Sequence, residues 1–171
     1  MLETERLILC PWQASDWRDF RPIATDPEVM RYINGGVPWD DEAIQRFVER
    51  QVTRYEQEGF CRWKLVEKES RNVIGFCGAG IWRDLPDLEI GWWLARHFWG
   101  LGLATEAAHA ALRDIFLRVK PERVISIAQQ ANGASIHVMR KIGLDRVRDF
   151  ESEGLTLVQY GISREQYAAG R

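Results

Sequence analysis

Between Phe60 and Ala95 the sequence carries three strand-like segments, "FCRWKLVEK", "VIGFCGAGIW" and "LEIGWWLA", separated only by "KESRN" and "RDLPD". The first alternates Phe60, Arg62 and Lys64 against Cys61, Trp63 and Leu65, the period of two expected of a strand with unlike faces. Connections this short favour an antiparallel meander, because parallel neighbours need a crossover of a dozen or more residues. Ahead of the strands, "DEAIQRFVERQVTRYEQE" places Ile44, Phe47, Val48, Val52 and Tyr55 at helical spacing, and Gly59 stops the helix.

The rest of the chain builds around that meander. "RLILCPW" reads as a strand that Pro11 ends. "SDWRDFRPIATDPEVMRYI" reads as helical, capped by Ser15 or Asp16 and broken into pieces at Pro22 and at Asp26-Pro27. "NGGVPW", from Asn34 to Trp39, is a loop. After Gly100-x-Gly102, the residues Ala104, Ala107, Ala108, Ala111, Leu112 and Ile115 mark one face of a helix. Pro121 opens the strand "RVISIAQ", and "NGASIHVMRKIGL" is a helix with Asn132 as cap and Gly143 as stop. "DRVRDF" and "LTLVQYGI" close as a hairpin. The expectation is one α+β domain over residues 1–171 with a mainly antiparallel sheet.

Bulk properties narrow the function. A formal net charge of −2 gives no electrostatic case for binding nucleic acid through phosphates. No window holds eighteen uninterrupted apolar residues, and "MLETERL" lacks the basic and apolar regions of a signal peptide, so a cytoplasmic protein is expected. Cys10, Cys61 and Cys77 are read as free thiols rather than a disulfide framework. His97, His109 and His137 share no ligand-like spacing, so no metal is expected.

The glycine corner is where chemistry enters. A helix entered through Gly100 and Gly102 offers unpaired backbone N–H groups and the positive end of its dipole, and both suit a phosphate or pyrophosphate. Two familiar nucleotide motifs fail here. Thr105 stands where a dinucleotide fingerprint needs a third small residue, and no Gly-Lys-Ser/Thr of a P-loop is present.

Taken in order, "TERL" (Thr4 to Leu7), "DPEVMRYI" (Asp26 to Ile33), Ile74-Gly75, "EIGWWL" (Glu89 to Leu94), "WGLGLATEA" (Trp99 to Ala107) and "NGASIHVMRKIG" (Asn132 to Gly143) span nearly the whole chain. This series resembles the GNAT N-acetyltransferase superfamily, and most of all the branch containing the ribosomal-protein N-terminal alanine acetyltransferases. The resemblance implies an α/β/α domain with a mixed, mainly antiparallel, splayed sheet of six to seven strands. It implies transfer of an acetyl group from acetyl-CoA to a primary amine, either a protein N-terminus or a small molecule, by direct attack in a ternary complex.

Site residues follow from the same resemblance. The pyrophosphate would lie on Phe98, Trp99, Gly100, Leu101, Gly102, Leu103, Ala104 and Thr105, with His97 standing where the family usually has Arg or Gln. The fourth strand would be bulged and would splay from the fifth to admit the pantetheine arm beside Trp93 and Leu94. The amide of Leu94, or its neighbour, would polarise the acetyl carbonyl. Asn132 would meet the pantetheine, besides serving as a helix cap. Glu89 matches the carboxylate that several members use as general base. Many members protonate the leaving thiolate with a tyrosine, but Met139 stands in that place, as in the ribosomal branch, and the resemblance to that branch implies Ser135 as the donor on the sulfur side. An acetylated Cys77 is a second route, with nothing in the sequence to pair it with a base. Trp39, Trp82 and Trp92 are either core or part of an aromatic acceptor pocket. A non-catalytic acyl-CoA-binding sensor or interaction module of the same fold stays open as an alternative, as does a homodimer.

Overall fold

The computed structural model describes residues 1–81 and 85–170. Its strands are β1 (Leu2–Glu3), β2 (Leu7–Cys10), β3 (Arg62–Glu67), β4 (Val73–Ile81), β5 (Leu88–Leu94), β6 (Arg123–Gln129), β7 (Asp145–Ser152) and β8 (Leu155–Ser163). They form one sheet in the order β1-β2-β3-β4-β5-β6-β8-β7. Every pairing is antiparallel except that of β5 with β6. The sheet has one strand more than expected because Leu2 and Glu3 pair with Leu9 and Ile8 as a two-residue edge. The family's fourth strand is therefore β5 here. Its register against β4 is unbroken from Gly75↔Leu94 to Ile81↔Leu88, so the expected bulge is not found in that pairing; the register shifts lie between β3 and β4 at Leu65/Val66 and between β7 and β8 at Arg146/Arg148. Trp82 and part of "RDLPD" lie outside the described residues.

The helices are α1 (Trp17–Ala24), α2 (Pro27–Met30), α3 (Asp41–Glu58), α4 (Leu103–Asp114), α5 (Gly133–Lys141) and α6 (Arg164–Ala168). Pro22 does not break α1 as expected. It removes one N–H from the helix ladder, and the helix tolerates that loss before ending at Thr25, next to its last buried residue, Ala24. The other expected break, at Asp26-Pro27, is present: the Asp26 carboxylate accepts from the Glu28 N–H at 2.9 Å and starts α2. Asp40 caps α3 and Gly59 ends it, so that helix spans the expected residues.

Small residues decide how closely α4 approaches the sheet. Ala107, Ala108 and Ala111 are all fully buried, together with Leu112 and Ile115, against β-strand residues such as Leu9, Ile74 and Ile90. On the opposite face α1 and α3 pack Phe20, Ile23, Ile44, Phe47 and Val48 onto Phe76 and Trp12. Within this aromatic group Phe20 stacks on Phe47 at 5.5 Å between ring centres, and Trp39 tilts against Trp93 at 4.7 Å. Helices thus cover both faces, giving three layers.

Candidate active site

The site begins where the sheet stops being a sheet. β5 and β6 pair at Leu88↔Val124 and Glu89↔Ile125, and no further pair follows. β5 then continues to Leu94 held only by β4, and β6 continues to Gln129 held only by β8. The Ala95 N–H donates to the Ile74 carbonyl at 2.8 Å. Because successive amides of a strand point to alternate edges, the Leu94 N–H faces the opposite way, into the opening. The Leu94 carbonyl also points away from β4 and accepts from the Trp99 indole N–H at 2.8 Å.

Glu89 occupies the last paired position before the strands part. It is 6% exposed, and a buried carboxylate is costly unless paired and hydrogen-bonded. Arg62 Nη2 supplies the partner, donating to Glu89 Oε2. That guanidinium reaches across β4 because Gly80 and Gly91 leave its path clear: a Cβ at Gly80 would lie 2.9 Å from Arg62 Cζ, and one at Gly91 would lie 3.6 Å from Arg62 Nε. Arg62 also lies over the Phe76 ring, and its Nε is buried with no hydrogen-bond partner among the described residues.

The glycine corner is held from outside its own helix. A 3₁₀ turn at Arg96–Phe98 leads to Gly100 and Gly102, whose φ values of 74° and 79° are left-handed, a region that a side chain penalises. Gly102 caps α4 without a side chain, so the N–H groups of Leu103, Ala104 and Thr105 have no capping acceptor, while Glu106 N–H bonds the Gly102 carbonyl at 3.0 Å. Arg6 Nη1 donates to the Leu101 carbonyl at 2.9 Å, and Arg6 Nε donates to Glu106 Oε2 at 2.8 Å. Glu106 Oε1 accepts from Thr4 Oγ1 at 2.6 Å and from the Arg6 N–H at 2.9 Å. The "TERL" and "WGLGLATEA" stretches are therefore one hydrogen-bonded unit. Burial raises the Glu106 carboxyl's pKa, but the bonds from Thr4 and Arg6 outweigh burial and hold it below its usual value.

Two clefts meet in the opening. The first, about 490 Å³, runs along the corner and is lined by Trp93, Leu94, Phe98, Trp99, Gly100, Gly102, Leu103, Ala104, Thr105, Asn132 and Ser135. The second, about 470 Å³, lies on the α3 side and contains Trp39, Phe47, Arg50, Arg62, Glu89 and Gln129. Trp92, Trp93, Asn132 and Ser135 border both. Gln129 Nε2 donates to the Tyr32 carbonyl at 3.0 Å, tying the α2 segment across the mouth to β6.

A family model described as an acetyltransferase (GNAT) domain matches residues 6–145. The chain belongs to the GNAT acetyltransferases. It is 28% identical to an uncharacterized N-acetyltransferase, p20, of Bacillus licheniformis, with 98% of each chain covered. A solved GNAT-family acetyltransferase from Bacillus anthracis superposes with a TM-score of 0.82 at 26% identity, covering 96% of this chain and 98% of that one. RimL, a ribosomal L7/L12 alpha-N-protein acetyltransferase solved in complex with coenzyme A, shares the fold with a TM-score of 0.79 at 15% identity, covering 94% and 95%.

Within this GNAT domain the described residues singled out from sequence converge, except for Leu101, His97 and Cys77. Leu101 turns outward, 55% exposed, and gives the corner only its carbonyl. His97 is exposed and does not line the cleft. Asn132 caps α5, its Oδ1 accepting from the Ser135 N–H at 3.2 Å. The Ser135 hydroxyl makes no hydrogen bond within the described residues. Met139 is buried beside it, where no proton donor stands. Cys77 is fully buried, lines neither cleft, and burial pushes its thiol pKa up, so it is unsuited as a nucleophile. Trp39 and Trp92 serve both readings at once, packing against the core and lining a cleft. Sequence reasoning missed Arg31 and Lys141 on the first cleft, and Arg50 and Arg62 on the second. Only the alternation of β3, which puts Arg62 on the same face as Lys64, hinted at any of them.

Proposed function

We propose that the chain is an acetyl-CoA-dependent N-acetyltransferase acting on a primary amine in a ternary complex. One observation carries this reading: a cleft ending on an uncapped helix N-terminus opens, between two parted strands, into a second cavity beside a carboxylate. The first cleft fits acetyl-CoA chemically. The N–H groups of Leu103, Ala104 and Thr105 suit the pyrophosphate, with Arg31 and Lys141 available to the remaining phosphate charge. The acceptor enters from the second cavity. Its nitrogen attacks the thioester carbonyl carbon, the carbonyl oxygen gains negative charge, and the Leu94 N–H is placed to donate to it. Glu89 takes a proton from the amine, directly or through water, while Arg62 compensates the buried charge. The C–S bond then breaks, and Ser135 donates toward the departing sulfur. Three free cysteines accord with a reducing, cytoplasmic setting.

The test is calorimetric titration of acetyl-CoA into the wild type and Gly102→Glu, followed by CoA-release assays over a panel of amines. Side-chain strain at a left-handed φ, with a carboxylate added at the anion site, should weaken binding by at least about tenfold. Glu89→Gln and Ser135→Ala should bind acetyl-CoA normally and lose turnover. Binding without turnover of any amine by the wild type would favour the sensor alternative. Absence of binding would overturn both.

A further inference from the structure

Four charged side chains line the second cavity: Arg50, Arg62, Glu89 and Glu153. Arg62 is committed to Glu89, and Glu153, in the turn between β7 and β8, already has an interaction of its own. Arg50, on the face that α3 turns toward the cavity, has no ion-pair or hydrogen-bond partner among the described residues. Partial burial, then the charges of Arg62 and Arg54, push its pKa down. A guanidinium on a cleft wall with no carboxylate bonded to it among the described residues is an anion subsite. The Arg62 Nε–H adds a second buried donor without an acceptor on the same wall. Apart from these four the described lining is aromatic or neutral, and Glu89 is already paired, so a polycationic amine would meet the unpaired charge of Arg50.

We propose that the acceptor is a primary amine that carries its own carboxylate, with Arg50 binding that carboxylate while the amino group reaches Glu89. This rests on reading the second cavity as the acceptor site. A free amino acid and the N-terminus of an acidic peptide share this chemistry, and the test separates them. Acceptors are compared in matched pairs: 4-aminobutanoate against its amide, and the peptide amides Ala-Asp-Ala and Ala-Asn-Ala, with spermidine alongside. Each is assayed for CoA release with the wild type, Arg50→Gln and Arg50→Lys, and for direct binding to the protein without acetyl-CoA by ligand-observed NMR.

In at least one pair the carboxylate member should be preferred by about tenfold or more. Which pair shows the preference names the source. Arg50→Gln should abolish the preference by raising KM for the carboxylate member alone, and Arg50→Lys should restore part of it. Equal use of both members, equal loss of both in Arg50→Gln, or preference for spermidine would overturn the proposal. If no acceptor turns over, preferential NMR binding of a carboxylate member that Arg50→Gln loses supports the subsite, and its absence overturns it. Loss of acetyl-CoA binding in the wild type is a separate result, which counts against the acetyltransferase reading and not against Arg50.

Discussion

Replacing Arg62 with leucine isolates the energetics of the buried pair. The two side chains are 19% and 8% exposed, so the substitution leaves the Glu89 carboxylate in a place where water reaches it poorly. Removing one partner of such a pair costs about 3–5 kcal/mol, and partial access to solvent at Arg62 puts the expectation near the lower end. For a domain of this size, about 3 kcal/mol lowers the melting temperature by roughly 6–12 °C. The assay is urea unfolding of wild type, Arg62→Leu, Glu89→Leu and the double variant, combined as a cycle. Glu89→Leu should cost less than Arg62→Leu, because the longer Arg62 side chain can carry its charge toward water. The double variant should recover much of the loss, giving a coupling of about 2 kcal/mol or more. Single-variant losses that add to within about 0.5 kcal/mol would refute the view that the pair acts as a unit.

Two further expectations concern the corner and the sheet. The Glu106 carboxyl's pKa is depressed in the folded state, so the stability it contributes is fully present above its unfolded value of about 4.3 and is lost as pH falls through the folded value. The difference in unfolding free energy between wild type and Glu106→Gln should therefore shrink between pH 6 and pH 3; a difference that holds constant would mean the carboxylate is not what matters. Gly75→Ala would put a Cβ 1.9 Å from the Trp93 carbonyl oxygen, a backbone atom with no room to move, and should cost about 3 kcal/mol or more, whereas Gly133→Ala meets nothing within 4 Å and should be neutral or stabilise by up to about 1 kcal/mol. Thermal melts of both variants decide the contrast.

What could be read from sequence was local. Gly59, or Asn132 and Gly143, mark helix ends within a few residues of where they fall, and the glycine corner sits beside the helix it opens. The helix α6 carried a readable signal as well, in the reciprocal bonds of Ser163 and Gln166, but it follows directly on a strand with no loop to mark it. Contacts across the sheet were not legible. Nothing local to Arg62 says that it will reach a carboxylate 27 residues away, and nothing near Thr4 says that its hydroxyl will bond Glu106, 102 residues away. Resemblance located the corner and Glu89, but the pairings that hold them depend on strand register, which only the folded chain sets.

The parting of β5 from β6 is also a lever. The strands are pinned at Leu88↔Val124 and Glu89↔Ile125, while the Leu94 amide lies five residues farther out, about 17 Å at the rise of an extended chain. Over that arm, a change of about 3° at the pin moves the tip by nearly 1 Å, enough to cost on the order of a hundredfold in a reaction that depends on alignment. Conservative changes at Val124 or Ile125, both fully buried and bordering neither cleft, therefore act on the aperture more strongly than many substitutions in its lining.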